Sequence, residues 1–114
     1  MLVRKKNQRS WNPIAGEGIE FCELRQNGTN GGAGLVQLVK GARFPSHDHP
    51  GWEEALILCG AVTIGGNRLV EGDYLFTEAG EIHDAVAEED TIFYVSSEKG
   101  IDIIENAEAV SEVT

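Results

Sequence analysis

The chain has 114 residues, 41% hydrophobic and 25% charged, with 9 basic against 19 acidic side chains and a formal net charge of −10. That length suits one domain around one core. The acidic balance argues against a nucleic-acid surface, because affinity for phosphate comes mostly from Lys and Arg. The longest apolar run, residues 55–59, is far too short to cross a membrane.

Residues 1–10 hold Arg4, Lys5, Lys6 and Arg9 and lack the apolar segment of a signal peptide. They read as a disordered or loosely held N-terminal tail, and the protein as cytoplasmic. Ordered structure is expected from Trp11, which would cover one end of the fold as packing. Residues 19–24 alternate as a strand does. Residues 27–34, with four glycines, read as a mobile loop. No Lys-Ser/Thr follows them, and no strand-to-helix pattern flanks them, so phosphate binding has little weight. Strands are expected at 35–40 and 44–49, meeting at Gly41. Residues 54–64 are apolar almost throughout, as a strand packed on both sides would be. A hairpin turn at 65–67 leads to a strand at 68–70, a turn at Glu71-Gly72 and a strand at 73–77. The turn 78–81 presents His83, and strands follow at 84–87, 91–97 and 101–104. After Asn106 the alternating small, acidic and Val residues form a frayed helix or nothing, a C-terminal tail at 107–114.

Short strands with no room for crossover helices imply an all-β fold, two antiparallel sheets closing as a jelly-roll barrel over 11–106 with no exposed edges. Cys22 and Cys59 lack CxxC spacing and a secretory context, so no disulfide framework is indicated. Cys59 shares strand parity with Glu53. Six residues at about 3.3 Å each put it some 20 Å away, so it reads as a small core residue.

The three histidines, His47, His49 and His83, fall in one segment that also holds Glu53. Residues two apart on a strand share a face, so His47 and His49 point the same way, and a turn at Pro50-Gly51 brings Glu53 back beside them. Three imidazoles and a carboxylate, with no thiolate, suit one divalent transition metal ion: Fe, Mn, Ni or Zn. Glu54 has the opposite parity and should face away, as should Asp48. Asp84 is either solvated or bonded to an imidazole. Small or apolar residues of the ligand parity, Ala55, Ile57 and Ala85, are expected to line a dry interior. Trp52, Phe76 and Phe93 are candidates for its rim. Beyond Glu53, only Tyr74, Tyr94 and the loop acids offer proton transfer.

Residues 41–60 resemble the first motif of the cupin superfamily at every fixed position: Gly41, His47, His49, Glu53 and Gly60. The second motif is similar at Gly72, Gly80 and His83, and departs at Glu78, usually Pro, and Ala87, usually Asn. Trp11, Gly18, Leu24, Pro45 and the Glu53-Glu54 pair resemble the cupin domain of ChrR-type anti-sigma factors. The resemblance implies a jelly-roll barrel, a homodimer and a metal held by His47, His49, Glu53 and His83. It supports two functions. One is a mononuclear non-haem dioxygenase acting on a small organic substrate, the ion leaving coordination positions open. The other is a zinc-binding ChrR-like module with a sensory or regulatory role, its tetrahedral shell closed. A metal-free sugar- or small-ligand-binding barrel ranks below both. The helical zinc-binding segment of a ChrR-type protein has no counterpart in the ten residues before Trp11, so a direct anti-sigma role is not expected of this chain alone.

Overall fold

The computed structural model describes residues 1–105, and the expected tail at 107–114 lies outside the described residues. After a 3-10 turn at Lys6–Gln8, eleven strands follow among the described residues: β1 (Asn12–Pro13), β2 (Ile19–Gln26), β3 (Gly32–Leu38), β4 (Arg43–Asp48), β5 (Glu53–Cys59), β6 (Ala61–Ile64), β7 (Asn67–Val70), β8 (Tyr74–Thr77), β9 (Ile82–Ala87), β10 (Thr91–Ser97) and β11 (Asp102–Ile103). They form two sheets, β1-β2-β3-β10-β5-β8 and β11-β4-β9-β6-β7, in which every pairing is antiparallel. No helix among the described residues is long and apolar enough to cross a membrane.

The all-β jelly roll is as expected. Edge closure is not: among the described residues no pairing joins the sheets, and β1, β8, β7 and β11 are edges. The two sheets are held instead by the side chains between them. Ile19, Leu38, Ile57 and Val62 are almost fully buried, joined by Ala85, Ala87 and Phe93. Each fully buried Ile or Val contributes about 1.5–3 kcal/mol.

The apolar run at 54–64 is two strands rather than one. Gly60 separates β5 from β6 and carries the chain from one sheet to the other. Its φ is +90°, and a Cβ there would run into the Asp90 carbonyl and Thr91. Nor is β5 buried on both sides: Ala55 and Ile57 face inward, whereas Leu56 and Leu58 are exposed. Cys59 is also exposed, not in the core. The reason is a bulge: Ile92 pairs with Cys59 but Phe93 with Ile57, so Leu58 is an extra residue and parity is lost beyond it.

Glycine 34 marks another close approach. The expected loop at 27–34 ends early, because Gly32, Ala33 and Gly34 already pair in β3 with both β2 and β10. A Cβ on Gly34 would overlap the Phe21 ring lying across it, so the small residue is what lets that ring lie flat on the sheet. Replacing Gly60 by Ala is expected to cost at least about 2 kcal/mol of unfolding free energy in urea, because positive φ and a backbone clash act together. A change below a few tenths would remove Gly60 as the device that separates the sheets.

Candidate metal centre

His47 lies on β4 directly opposite His83 on β9. His49 follows the end of β4. Glu53 opens β5 in the other sheet, between Thr77 and Ser97. The four predicted side chains come together: one donor atom from each lies within 4.8 Å of the others. The ring centroids of His47, His49 and His83 stand 4.5 to 4.8 Å apart.

A bulge sets the aim of His47. Phe44 pairs with Ala85 and His47 with His83, so β4 spends three steps where β9 spends two. The extra residue lies in Pro45-Ser46, and it turns Phe44 and His47 toward each other, their rings 4.9 Å apart in an edge-on contact. Uninterrupted parity would have placed them on opposite faces. The C-terminal segment fastens this bulge. Ile104 N–H donates to the Ser46 carbonyl (3.1 Å), and Ser46 N–H donates to Glu105 Oε2 (3.2 Å). Arg43 donates through both terminal nitrogens to Glu105 and through Nε to Asp84. Asp84 is therefore neither solvated and free nor bonded to an imidazole. It is paired with Arg43.

Backbone carbonyls orient two of the rings. His47 Nδ1 lies 2.9 Å from the Pro45 carbonyl, and His49 Nδ1 lies 2.6 Å from that of Glu81. A carbonyl only accepts, so each Nδ1 carries the proton and each Nε2 presents its lone pair. The Glu78–Glu81 turn is built to supply that second carbonyl. Gly80 N–H donates to the His49 carbonyl (2.8 Å), and Glu78 N–H donates to Glu81 Oε2 (2.7 Å). A proline at position 78 would lack the latter donor. Outside the centre, Tyr74 OH donates to Glu54 (2.7 Å), and Asp48 accepts from His49 N–H (2.8 Å). Glu54 thus faces away from the cluster, as its parity required.

His49 is 0% exposed, and its Nε2 has no hydrogen-bond partner; Glu53 Oε1 lies 3.3 Å away without hydrogen-bond alignment. An imidazole lone pair buried without a donor, facing a carboxylate and two more imidazoles, fits a cation at their common centre. The set is compatible with one metal ion.

The cluster forms the inner end of a cavity of about 660 Å³. His47, Glu53 and His83 line it, whereas His49 sits behind them. Ala55 and Ala85 belong to its wall as expected, but Ile57 is in the core. Of the three aromatic candidates only Phe93 lines the cavity, with Phe21 and Phe44. Trp52 and Phe76 stack on each other on the outside, 37% and 50% exposed. Much of the wall comes from β2 and β3, including Phe21, Arg25 and Val36, which the motif spacing does not reach. The inward parity of Phe21 and Glu23 is the signal in the sequence that points there.

Burial, reinforced by His47 and His49, pushes His83 down to about 4, and burial also lowers His47. Burial pushes His49 down too, but the Glu53 carboxylate and the Glu81 carbonyl outweigh it and raise that imidazole. In the ion-free protein, the unfolded chain takes protons on His47 and His83 near pH 6.5, while the folded chain delays, for His83 until about 4. Stability from these two groups is present at neutral pH and lost as pH falls through that window. His49, raised, acts in the opposite sense, and His83 with its large depression carries the dependence. Chelator-treated protein should therefore lose thermal stability between pH 6.5 and 4, and His83→Asn should flatten the dependence. An unchanged slope in that variant would disprove the assignment.

A family model described as the ChrR cupin-like domain matches residues 1–101. A DNA damage-repair/toleration protein of Arabidopsis thaliana is 31% identical over 68 residues, 54% of this chain, and the match spans only 22% of that protein's length. The structure of an acetylacetone dioxygenase from Acinetobacter johnsonii superposes with a TM-score of 0.78 at 20% identity, covering 93% of this chain and 78% of the other. The complex of Rhodobacter sphaeroides SigE with the anti-sigma ChrR gives 0.72 at 28% identity, covering 83% of this chain and 52% of the other. The resemblance visible in Gly41, His47, His49, Glu53 and Gly60 is borne out, and the chain belongs to the ChrR cupin-like family.

Proposed function

We propose that this protein is a metal-dependent cupin in which His47, His49, Glu53 and His83 hold one divalent transition metal ion, and that it acts as a mononuclear non-haem dioxygenase on a small organic molecule. The observation that carries this reading is the access to the cluster: three of the four donor groups open into a cavity of about 660 Å³, a size suited to a compact ligand. A bound ion of this kind supplies Lewis-acid or redox chemistry.

The protein's own residues hold and shield. The Pro45 and Glu81 carbonyls fix the His47 and His49 tautomers. Glu53 contributes the one anionic oxygen of the set. Val36, Phe44, Leu75 and Phe93 supply an apolar wall to the cavity. Tyr74 is engaged by Glu54 on the outer face, and Tyr94 is absent from the cavity lining. Glu53 is then the one carboxylate at the inner end placed to hold a proton. The similarity to an acetylacetone dioxygenase supports the reading at the level of the fold.

A second reading is a zinc-holding module that senses or binds without turnover, favoured by the ChrR cupin-like match and by the 28% identity to a chain of the SigE–ChrR complex. On either reading the protein works as a homodimer in the cytoplasm.

Elemental analysis of natively purified protein should give one ion per chain, and His49→Ala should lower metal affinity at least about tenfold. Unchanged stoichiometry in that variant would remove His49 from the donor set. Oxygen uptake by iron-loaded protein over a panel of diketones, catechols and hydroxyacetophenones separates the two functions. Consumption with one class supports the dioxygenase, and silence across the panel in a zinc-containing protein supports the module.

A further inference from the structure

We infer that the ligand of the cavity is a small carboxylic acid with an apolar body, and that Arg25 at the mouth binds its carboxylate. The inference rests on the reading of the cavity as a ligand site, and it adds the ligand's class and orientation.

Arg25 is the one Lys or Arg among the residues lining the cavity. Among the described residues it also has no carboxylate partner. Arg43 and Arg68 are in ion pairs, and Arg4 donates to the Leu24 carbonyl, whereas Arg25 donates only to the side-chain oxygen of Asn27. In a chain with 19 acidic and 9 basic side chains, an arginine left without a carboxylate at a cavity mouth is conspicuous. Glu23, the nearest acid on its own strand, also lines the cavity, but its carboxylate accepts from Gln26 Nε2 (2.8 Å) instead. Apart from the terminal nitrogen that donates to Asn27, the N–H donors on Arg25 stay open to an external anion, and a carboxylate suits them.

Register places Arg25 one residue from the row of the sheet that carries Glu53. Glu53 pairs with Ser97, Ser97 with Gly32, and Gly32 with Gln26, one row across the six-stranded sheet. At about 4.8 Å per strand the backbones of Glu53 and Gln26 stand at most about 14 Å apart, and Glu53 and Arg25 both line the cavity. A bulge at Leu24 interrupts the β2–β3 pairing just before Arg25. Between the two ends the wall is apolar, with Phe21, Val36, Phe93 and Val95. A molecule that satisfies both ends and the middle carries one anionic head at Arg25 and a compact hydrocarbon body directed toward His47, Glu53 and His83.

The test is an NMR titration of the full chain, metal-replete and chelator-stripped, at pH 8, with benzoate and hexanoate against benzamide and hexanamide. Each acid should bind about tenfold tighter than its amide in both forms. Arg25→Gln should abolish that preference, and Arg25→Lys should retain part of it. Arg68→Gln, outside the cavity, should leave it unchanged. Circular dichroism and thermal melts verify that the variants fold. Equal affinity for acid and amide, no binding of either, or a preference that survives Arg25→Gln in the stripped protein would overturn the assignment. The preference in the stripped protein owes nothing to an ion. Metal-free native protein that still favours acids would sink only the metal reading, and metal at full stoichiometry without the preference would sink only the role of Arg25.

Discussion

Among the described residues, one buried side-chain nitrogen, His49 Nε2, has no hydrogen-bond partner, and much of the local architecture serves to keep it so. Leaving a buried acceptor unsatisfied costs roughly 1–3 kcal/mol. Without an ion His49 Nε2 bears that cost while Nδ1 is held by the Glu81 carbonyl, so the ring cannot turn to relieve it without breaking the other bond. His47, whose ring proton is committed to the Pro45 carbonyl, turns a lone pair rather than a donor toward that nitrogen when neutral, and burial keeps both His47 and His83 below the ordinary imidazole range. Local frustration of this kind persists where a site needs it and the surroundings over-determine the geometry.

The surroundings do so through backbone groups more than through charged pairs. The Arg43–Glu105 and Arg43–Asp84 bridges are substantially exposed, so solvent screens most of their attraction. Their effect is geometric. Together with the Ile104 N–H they engage both backbone groups of Ser46, and so hold the bulge that directs His47. Proline 45 fits the same place, since a bulged residue has no ladder bond to lose and its carbonyl is free to orient His47. The C-terminal segment, β11 with Ile104 and Glu105 after it, therefore fixes the centre while contributing no donor to it.

How far the sequence discloses this follows from what each feature depends on. Alternation and turn chemistry are local, so the shared face of His47 and His49, the return of Glu53 after Pro50-Gly51, the outward Glu54 and the strand at Thr91–Ser97 are all legible. Bulges depend on the partner strand. The extra residues at Pro45-Ser46 and Leu58 reverse parity midway, which is why Cys59 is exposed and why Phe44 meets His47. The division at Gly60 depends on which sheet each half joins, and an unbroken apolar run conceals it. The cavity wall from β2 and β3 is least legible, because glycines that admit a cross-strand ring, as Gly34 admits Phe21, look like loop glycines until the pairing is known.

The division of labour between the sheets bears on how chemistry can vary on this scaffold. His47 and His83 stand on the five-stranded sheet and His49 just past its edge, whereas Phe21, Arg25 and Val36 stand on the six-stranded sheet. Glu53 is the one donor that belongs to the second sheet. Because β2 and β3 make no hydrogen-bonded pair with β4 or β9, substitutions in the wall reshape the cavity without passing through the ladder that aligns the imidazoles. The same four donors can therefore serve different ligands as the wall changes, and a likeness confined to the donors identifies the metal centre more securely than the molecule that approaches it. Discrimination between ligands must then be sought in residues 19–36 and 93–101, parts of the cavity that the donor motif leaves unspecified.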